Sequence, residues 1–134
     1  MPTLTVRDES VTGDEHQRTT LEFPSERITV RELIRERVYQ EVDDFNRAQR
    51  EGKGPTFRGL VQPTEAEVAL NGFRLRKDRE IDWKAQFERA CEAYEENRVL
   101  VLVGDRQTGS LEETIRIERG TEVTFLRLVM LVGG

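Results

Sequence analysis

Val99-Leu100-Val101-Leu102-Val103 is an unbroken apolar run, β-branched at every second position and closed by Gly104. A run this short is not long enough for a buried helix and is too apolar for a loop. It predicts a strand buried on both faces. Such a strand needs neighbours, and other stretches of the chain can supply them. Residues 3–9 alternate with Leu4 and Val6 on one face, and residues 18–23 alternate with Leu21 and Phe23 on one face. The polar stretch 10–17 between them holds Gly13-Asp14, a turn signal, so the two read as an antiparallel hairpin with a long loop, ended by Pro24. A last strand is expected over 121–129, where Val123 and Phe125 fall on one face.

Between these strands lie two helical patterns. Thr29 followed by Glu32 is a capping box, in which each side chain can satisfy the other's backbone N–H. Val30, Leu33, Ile34, Val38, Val42 and Phe45 then recur at helical spacing, which predicts an amphipathic helix to about Arg47. Asp82 is a good N-cap for a second helix reaching about Asn97, with Trp83, Phe87, Ala90 and Tyr94 on its inner face. Residues 48–64 are broken by glycine and proline and read as loop. Asn71-Gly72 between short strand-like runs predicts a two-residue hairpin, with a helical turn over 64–70 as the competing reading. Leu111, Ile115 and Ile117 are expected to anchor a compact connection over 105–120.

Charge and composition exclude several function classes. With 36% hydrophobic and 35% charged residues in 134, the chain reads as one soluble globular domain. A net charge of −5 argues against a generic nucleic-acid binder. No apolar run is long enough for a membrane span, and no leader-like segment opens the chain, so no membrane association and a cytoplasmic location are expected. One cysteine, Cys91, excludes an internal disulfide, and one histidine, His16, excludes a multi-histidine metal site. Cys91 sits by an apolar helix face and reads as a buried structural thiol; His16 reads as a solvated loop residue. The acidic pairs Asp43-Asp44, Glu95-Glu96 and Glu112-Glu113 are sequence neighbours, and on a helix neighbours diverge by about 100°, so they do not converge like catalytic carboxylates. Gly104-Asp105-Arg106-Gln107-Thr108-Gly109 lacks the lysine and hydroxyl of a P-loop. No metal, no cofactor and no intrinsic catalytic residue are expected.

The chain closes on Leu128-Val129-Met130-Leu131-Val132-Gly133-Gly134. Two glycines after a strand pack nothing and cap no helix. Taken alone they read as a frayed end or a cloning remnant. Chemically, two residues without Cβ could thread a narrow channel and deliver a carboxylate to an enzyme that activates it.

Hairpin, capped helix, buried strand, compact turn, long strand and diglycine, in that order, resemble ubiquitin and its β-grasp relatives. The likeness is closest over Arg98–Gln107, Ser110–Ile117 and Gly120–Phe125, and it extends to residues 3 to about 45, including Pro24-Ser25 just before the helix. The resemblance implies an α+β fold: a β-grasp sheet with a packed helix, as a single ubiquitin-like domain over 1–134. An inserted helical and hairpin decoration at about 46–97 and a flexible tail over 130–134 would depart from ubiquitin. Leu4, Val6, Leu21, Ile34, Val38, Leu100, Leu102, Val123 and Phe125 are the expected core.

It also implies chemistry done to the protein. A carboxylate does not acylate amines in water unless it is first activated, here as an adenylate and then as an enzyme thioester. Gly134 and Gly133 would be the conjugation site, an E1-like activating enzyme and an E2-like conjugating enzyme the partners, and target-protein lysines the acceptors. Leu126, Leu128, Val101 and Leu131 would form a partner-binding patch beside the tail, with Val103 an alternative to Val101. The apolar Leu128–Val132 stretch differs from ubiquitin's arginine-rich tail, which implies a dedicated cognate enzyme. The extended family includes bacterial modifiers encoded beside their own enzymes, some in antiviral defence. Eighteen arginines against three lysines (Lys53, Lys77 and Lys84) is what a GC-rich genome produces, and would also suit a protein whose activated end attacks lysines. A sulfur carrier ending in a thiocarboxylate is the alternative, and an interaction module with an incidental diglycine is the third reading.

Overall fold

The N-terminal alternation becomes the hairpin it predicts. In the computed structural model, which describes residues 1–10, 15–53, 56–69, 72–76 and 79–128, β1 (Thr3–Ser10) pairs antiparallel with β2 (Glu15–Glu22), placing Leu4 opposite Leu21. β2 starts inside the expected loop, so His16 belongs to a strand, at the point where the register shifts between Asp8 and Glu9. Polar residues suffice there because β2 is an edge strand with one open side. The remaining elements are β3 (Arg27–Thr29), α1 (Val30–Arg50), β4 (Ala66–Ala69), β5 (Gly72–Leu75), α2 (Trp83–Glu95), β6 (Val99–Val103), β7 (Arg106–Gln107), β8 (Thr114–Arg116) and β9 (Glu122–Arg127). They group into two compact units, residues 1–33 with 91–134, and residues 34–90.

The first unit is α+β, built on a five-stranded mixed sheet ordered β2-β1-β9-β6-β7. β1 and β9 run parallel; every other pair is antiparallel. Leu4, Val6, Leu21, Val123 and Phe125 are buried as expected, and so are Leu111, Ile115 and Ile117. Leu100 and Leu102 are a correction: they are only half-buried, while Val99 and Val101 point inward. The run alternates by environment although every residue in it is apolar, because only one face of the sheet is shut off from water. Residues 105–120 also hold more pairing than a compact connection, for β8 joins β3 in a second small sheet with Ile28 opposite Ile115.

The start of α1 is fixed from two directions. The Glu32 N–H donates to Thr29 Oγ1 at 3.1 Å, and the Thr29 hydroxyl lies 3.2 Å from the Glu32 carboxylate. The second half of the expected capping box is thus made by Thr29's hydroxyl rather than by its backbone N–H. Val30 and Arg31, whose N–H groups have no partner within the helix, donate to the carbonyls of Glu113 and Leu111 at 3.0 and 2.9 Å. At the other end of this unit's helical content, Asn97 turns α2 off with a φ of 59°, and the Arg98 N–H returns to the Ala93 carbonyl.

In the second unit, α1 runs to Arg50, and the glycine-and-proline stretch is pinned to it. Glu41 accepts the Leu60 N–H at 3.0 Å and receives the Arg37 guanidinium at 3.3 Å, and Phe57 packs edge-on to Phe45 with ring centroids 5.3 Å apart. The predicted hairpin forms, with Ala69 in register with Gly72; Asn71 lies outside the described residues. Gly72 has a φ of 146°, and a Cβ there would run into the Phe57 carbonyl, so the position needs glycine. Asp82 caps α2 through the Lys84 N–H.

The expected inner face of α2 is rotated. Trp83 and Phe87 are half-buried, and Gln86 is buried in their place. Gln86 can point inward because its amide donates to the Val61 carbonyl at 3.1 Å. Trp83 stays near the surface, edge-on to Tyr39 and within 5.3 Å of the Arg35 guanidinium. Asn46 holds the approach to α2: its amide donates to the Ile81 carbonyl and accepts the Ile81 N–H, at 3.0 and 2.9 Å. Asn46→Ala should therefore cost about 1–3 kcal/mol, because both backbone groups of Ile81 lose their partner; urea unfolding reads this directly.

Candidate partner-binding face of the sheet

Register decides which side chains share a face. β1, β9 and β6 lie side by side, and residues directly opposite one another point the same way. Asp8, Phe125 and Val101 form one row, and Val6, Val123 and Val103 the next on that side. These are inward rows: Asp8, Val6, Val123, Phe125 and Val101 are all buried. The opposite face carries Glu9, Leu126 and Leu100 in one row, then Arg7, Thr124, Leu102 and Gln107 in the next.

The open face is therefore split by chemistry. On the β1 side, Arg7 bridges Glu9 on its own strand and Glu122 on β9, each at 2.7 Å. These pairs are partly exposed and organise the surface more than they stabilise the fold. On the β6 side, Leu100, Leu102 and Leu126 make an apolar strip, with Thr124 beside it. Leu128 continues from the strip's end, its N–H donating to the Arg98 carbonyl at 2.9 Å.

Leu126 and Leu128 are thus half-exposed where they were expected to be. Val101 is not: it is fully buried on the other face, and Val103 shares that face. The residues that β6 contributes to the patch are Leu100 and Leu102, which sequence reasoning had assigned to the core. A five-residue apolar run hides its own phase. The missing signal was the pairing of Leu100 with Leu126, from which the phase of β6 follows at once. Leu131, Gly133 and Gly134 lie outside the described residues.

Leu126→Asp tests this assignment of faces. The change puts a carboxylate on the open side, so it should cost no more than about 1 kcal/mol, mostly from poor strand propensity. A large loss of stability in urea would mean that Leu126 is core.

No site for chemistry of the protein's own stands out elsewhere. Cys91 is a buried free thiol. Among the described residues no group of three or more His, Cys, Asp or Glu side chains could hold a metal ion, and no helix is long and apolar enough to cross a membrane. Neither protein-family models, curated proteins nor solved structures gave a match to this chain.

Proposed function

We propose that this chain is a ubiquitin-like modifier on a β-grasp sheet, joined through the Gly134 carboxylate to amines of target proteins. The observation that supports it most is the setting of β6 and β9. The β-grasp reading requires the 99–103 run to lie inside the sheet, and β6 has β9 on one side and β7 on the other. The strands near the two ends of the sequence, β1 and β9, lie together and parallel at the centre. β9 leads toward Gly133-Gly134 from beside the apolar strip of Leu100, Leu102 and Leu126. The strip is a suitable seat for an activating or conjugating enzyme that must hold the domain while it reads the tail.

The chemistry follows from the carboxylate. Attack of a Gly134 oxygen on the α-phosphorus of ATP in the activating enzyme expels pyrophosphate and leaves an acyl adenylate. An enzyme thiolate displaces AMP to give a thioester, and a lysine amine displaces the thiol to give an isopeptide bond. This route needs Gly134 at the C-terminus of the mature protein, as synthesised or after processing.

Intact-mass and peptide mass spectrometry of protein from its native host tests the reading. Branched peptides with a lysine carrying the C-terminal residues are the expected result. Replacement of a terminal oxygen by sulfur, with no branched peptides, would instead identify a sulfur carrier. Absence of both would leave only an interaction module.

A further inference from the structure

β7 is only two residues long, so it covers β6 at Leu102 and Val103 and no further. Upstream of that pairing, the C-terminal turn of α2, β6 and the 107–112 segment enclose a groove of about 320 Å³. Val99, Leu100 and Leu111 give it apolar walls, and Tyr94 closes one side. The Tyr94 hydroxyl is tied to Thr108 Oγ1 at 2.8 Å, and Thr108 Oγ1 donates to the Val101 carbonyl at 2.9 Å, so this wall is held from behind. Burial pushes the Tyr94 phenol above its ordinary range, so it stays neutral.

The groove's charge has one sign. Its lining includes Glu95 and Glu112 and no lysine or arginine. Glu112 is already matched by Arg31 at 2.6 Å, which holds its carboxyl below the usual range. Glu95 is exposed and is the last residue of α2, where the carbonyl end of the helix adds negative potential. A site with apolar walls and an anionic mouth suits a long aliphatic stem ending in a cation.

We infer that this groove takes a basic side chain from an extended peptide segment of a partner protein. The stem lies along Val99, Leu100 and Leu111, and the cationic head meets Glu95. The segment's backbone runs beside the part of β6 that β7 leaves uncovered, which is how an added strand gains affinity at a sheet edge.

The test is an NMR titration of the full-length ¹⁵N-labelled chain with the peptide acetyl-Thr-Val-Lys-Val-Thr-amide, and with its Nε-acetyl-lysine analogue. Saturable shifts are expected at the amides of Val99, Leu100, Gln107 and Gly109 with the lysine peptide, and none with the acetylated one. Glu95→Gln should weaken binding about three- to fivefold, the size of one exposed charge pair. Glu22→Gln, at the opposite edge of the sheet, should leave it unchanged. No shifts at millimolar peptide, equal shifts with the acetylated peptide, shifts confined elsewhere, or no effect of Glu95→Gln would each overturn the inference. Truncation after Val132 should leave peptide binding intact, so this result stands or falls apart from conjugation.

Discussion

Phe125→Ala should destabilise the protein by about 3–5 kcal/mol, the usual range for emptying a fully buried aromatic site. Phe125 has no exposed surface, and it sits on the central strand β9 with Asp8 on one side and Val101 on the other. The cavity would open between strands paired on both sides, which have little room to collapse. Against a typical total stability of about 5–15 kcal/mol, the loss would leave a narrow margin at 25 °C. Chemical denaturation should show the midpoint falling steeply for Phe125→Ala and hardly at all for Leu126→Ala, the next residue on the open face. Similar losses for the two would refute the assignment of faces.

Deleting Gly134 should abolish covalent conjugates altogether, while stability stays within about 0.5 kcal/mol of the parent, as for other changes away from the core. The reason is stereochemical. Without Gly134 the activated carboxylate would sit on Gly133, one residue short, with Val132 and its branched Cβ drawn toward the enzyme channel. Immunoblots of the native host, before and after the deletion, would show whether the ladder of conjugates disappears. A ladder that survives would rule out attachment through Gly134. Leu126→Asp should thin the same ladder without affecting the fold, because it charges the strip next to the tail.

Most of the framework could be read from residue order, for physical reasons particular to each element. Leu4, Val6, Leu21, Val123 and Phe125 alternate with polar residues, so their phase was explicit, and they are core. Asp82 could be identified because an N-cap acts locally. The reading failed where the deciding partner was distant in sequence. β6 is apolar at every position, so only its register with β9 shows that Leu100 and Leu102 face outward. Gln86 displaced the aromatic residues of α2 because of one carbonyl, that of Val61, which no periodicity could reveal. β3 and β8 are three residues each and identifiable only as a pair. The groove at the end of α2 was equally hidden, for it is assembled from three elements and exists because β7 stops early.

The parallel pairing of β1 with β9 also governs when this protein can fold. Arg7 and Glu122 lie 115 positions apart and meet across the two central strands. While the chain is being made, the β1–β2 hairpin leaves the ribosome with its inner neighbour still unsynthesised, and an isolated two-stranded hairpin is marginal in water. Loop closure over that span must precede most of the sheet's favourable contacts, which places folding on the slow side for a chain this size. Synthesis must pass Arg127 before the sheet can close. At a typical elongation rate of about 5–20 residues per second, a nascent chain therefore spends several seconds with β1's inner edge uncovered, open to chaperones and to mispairing.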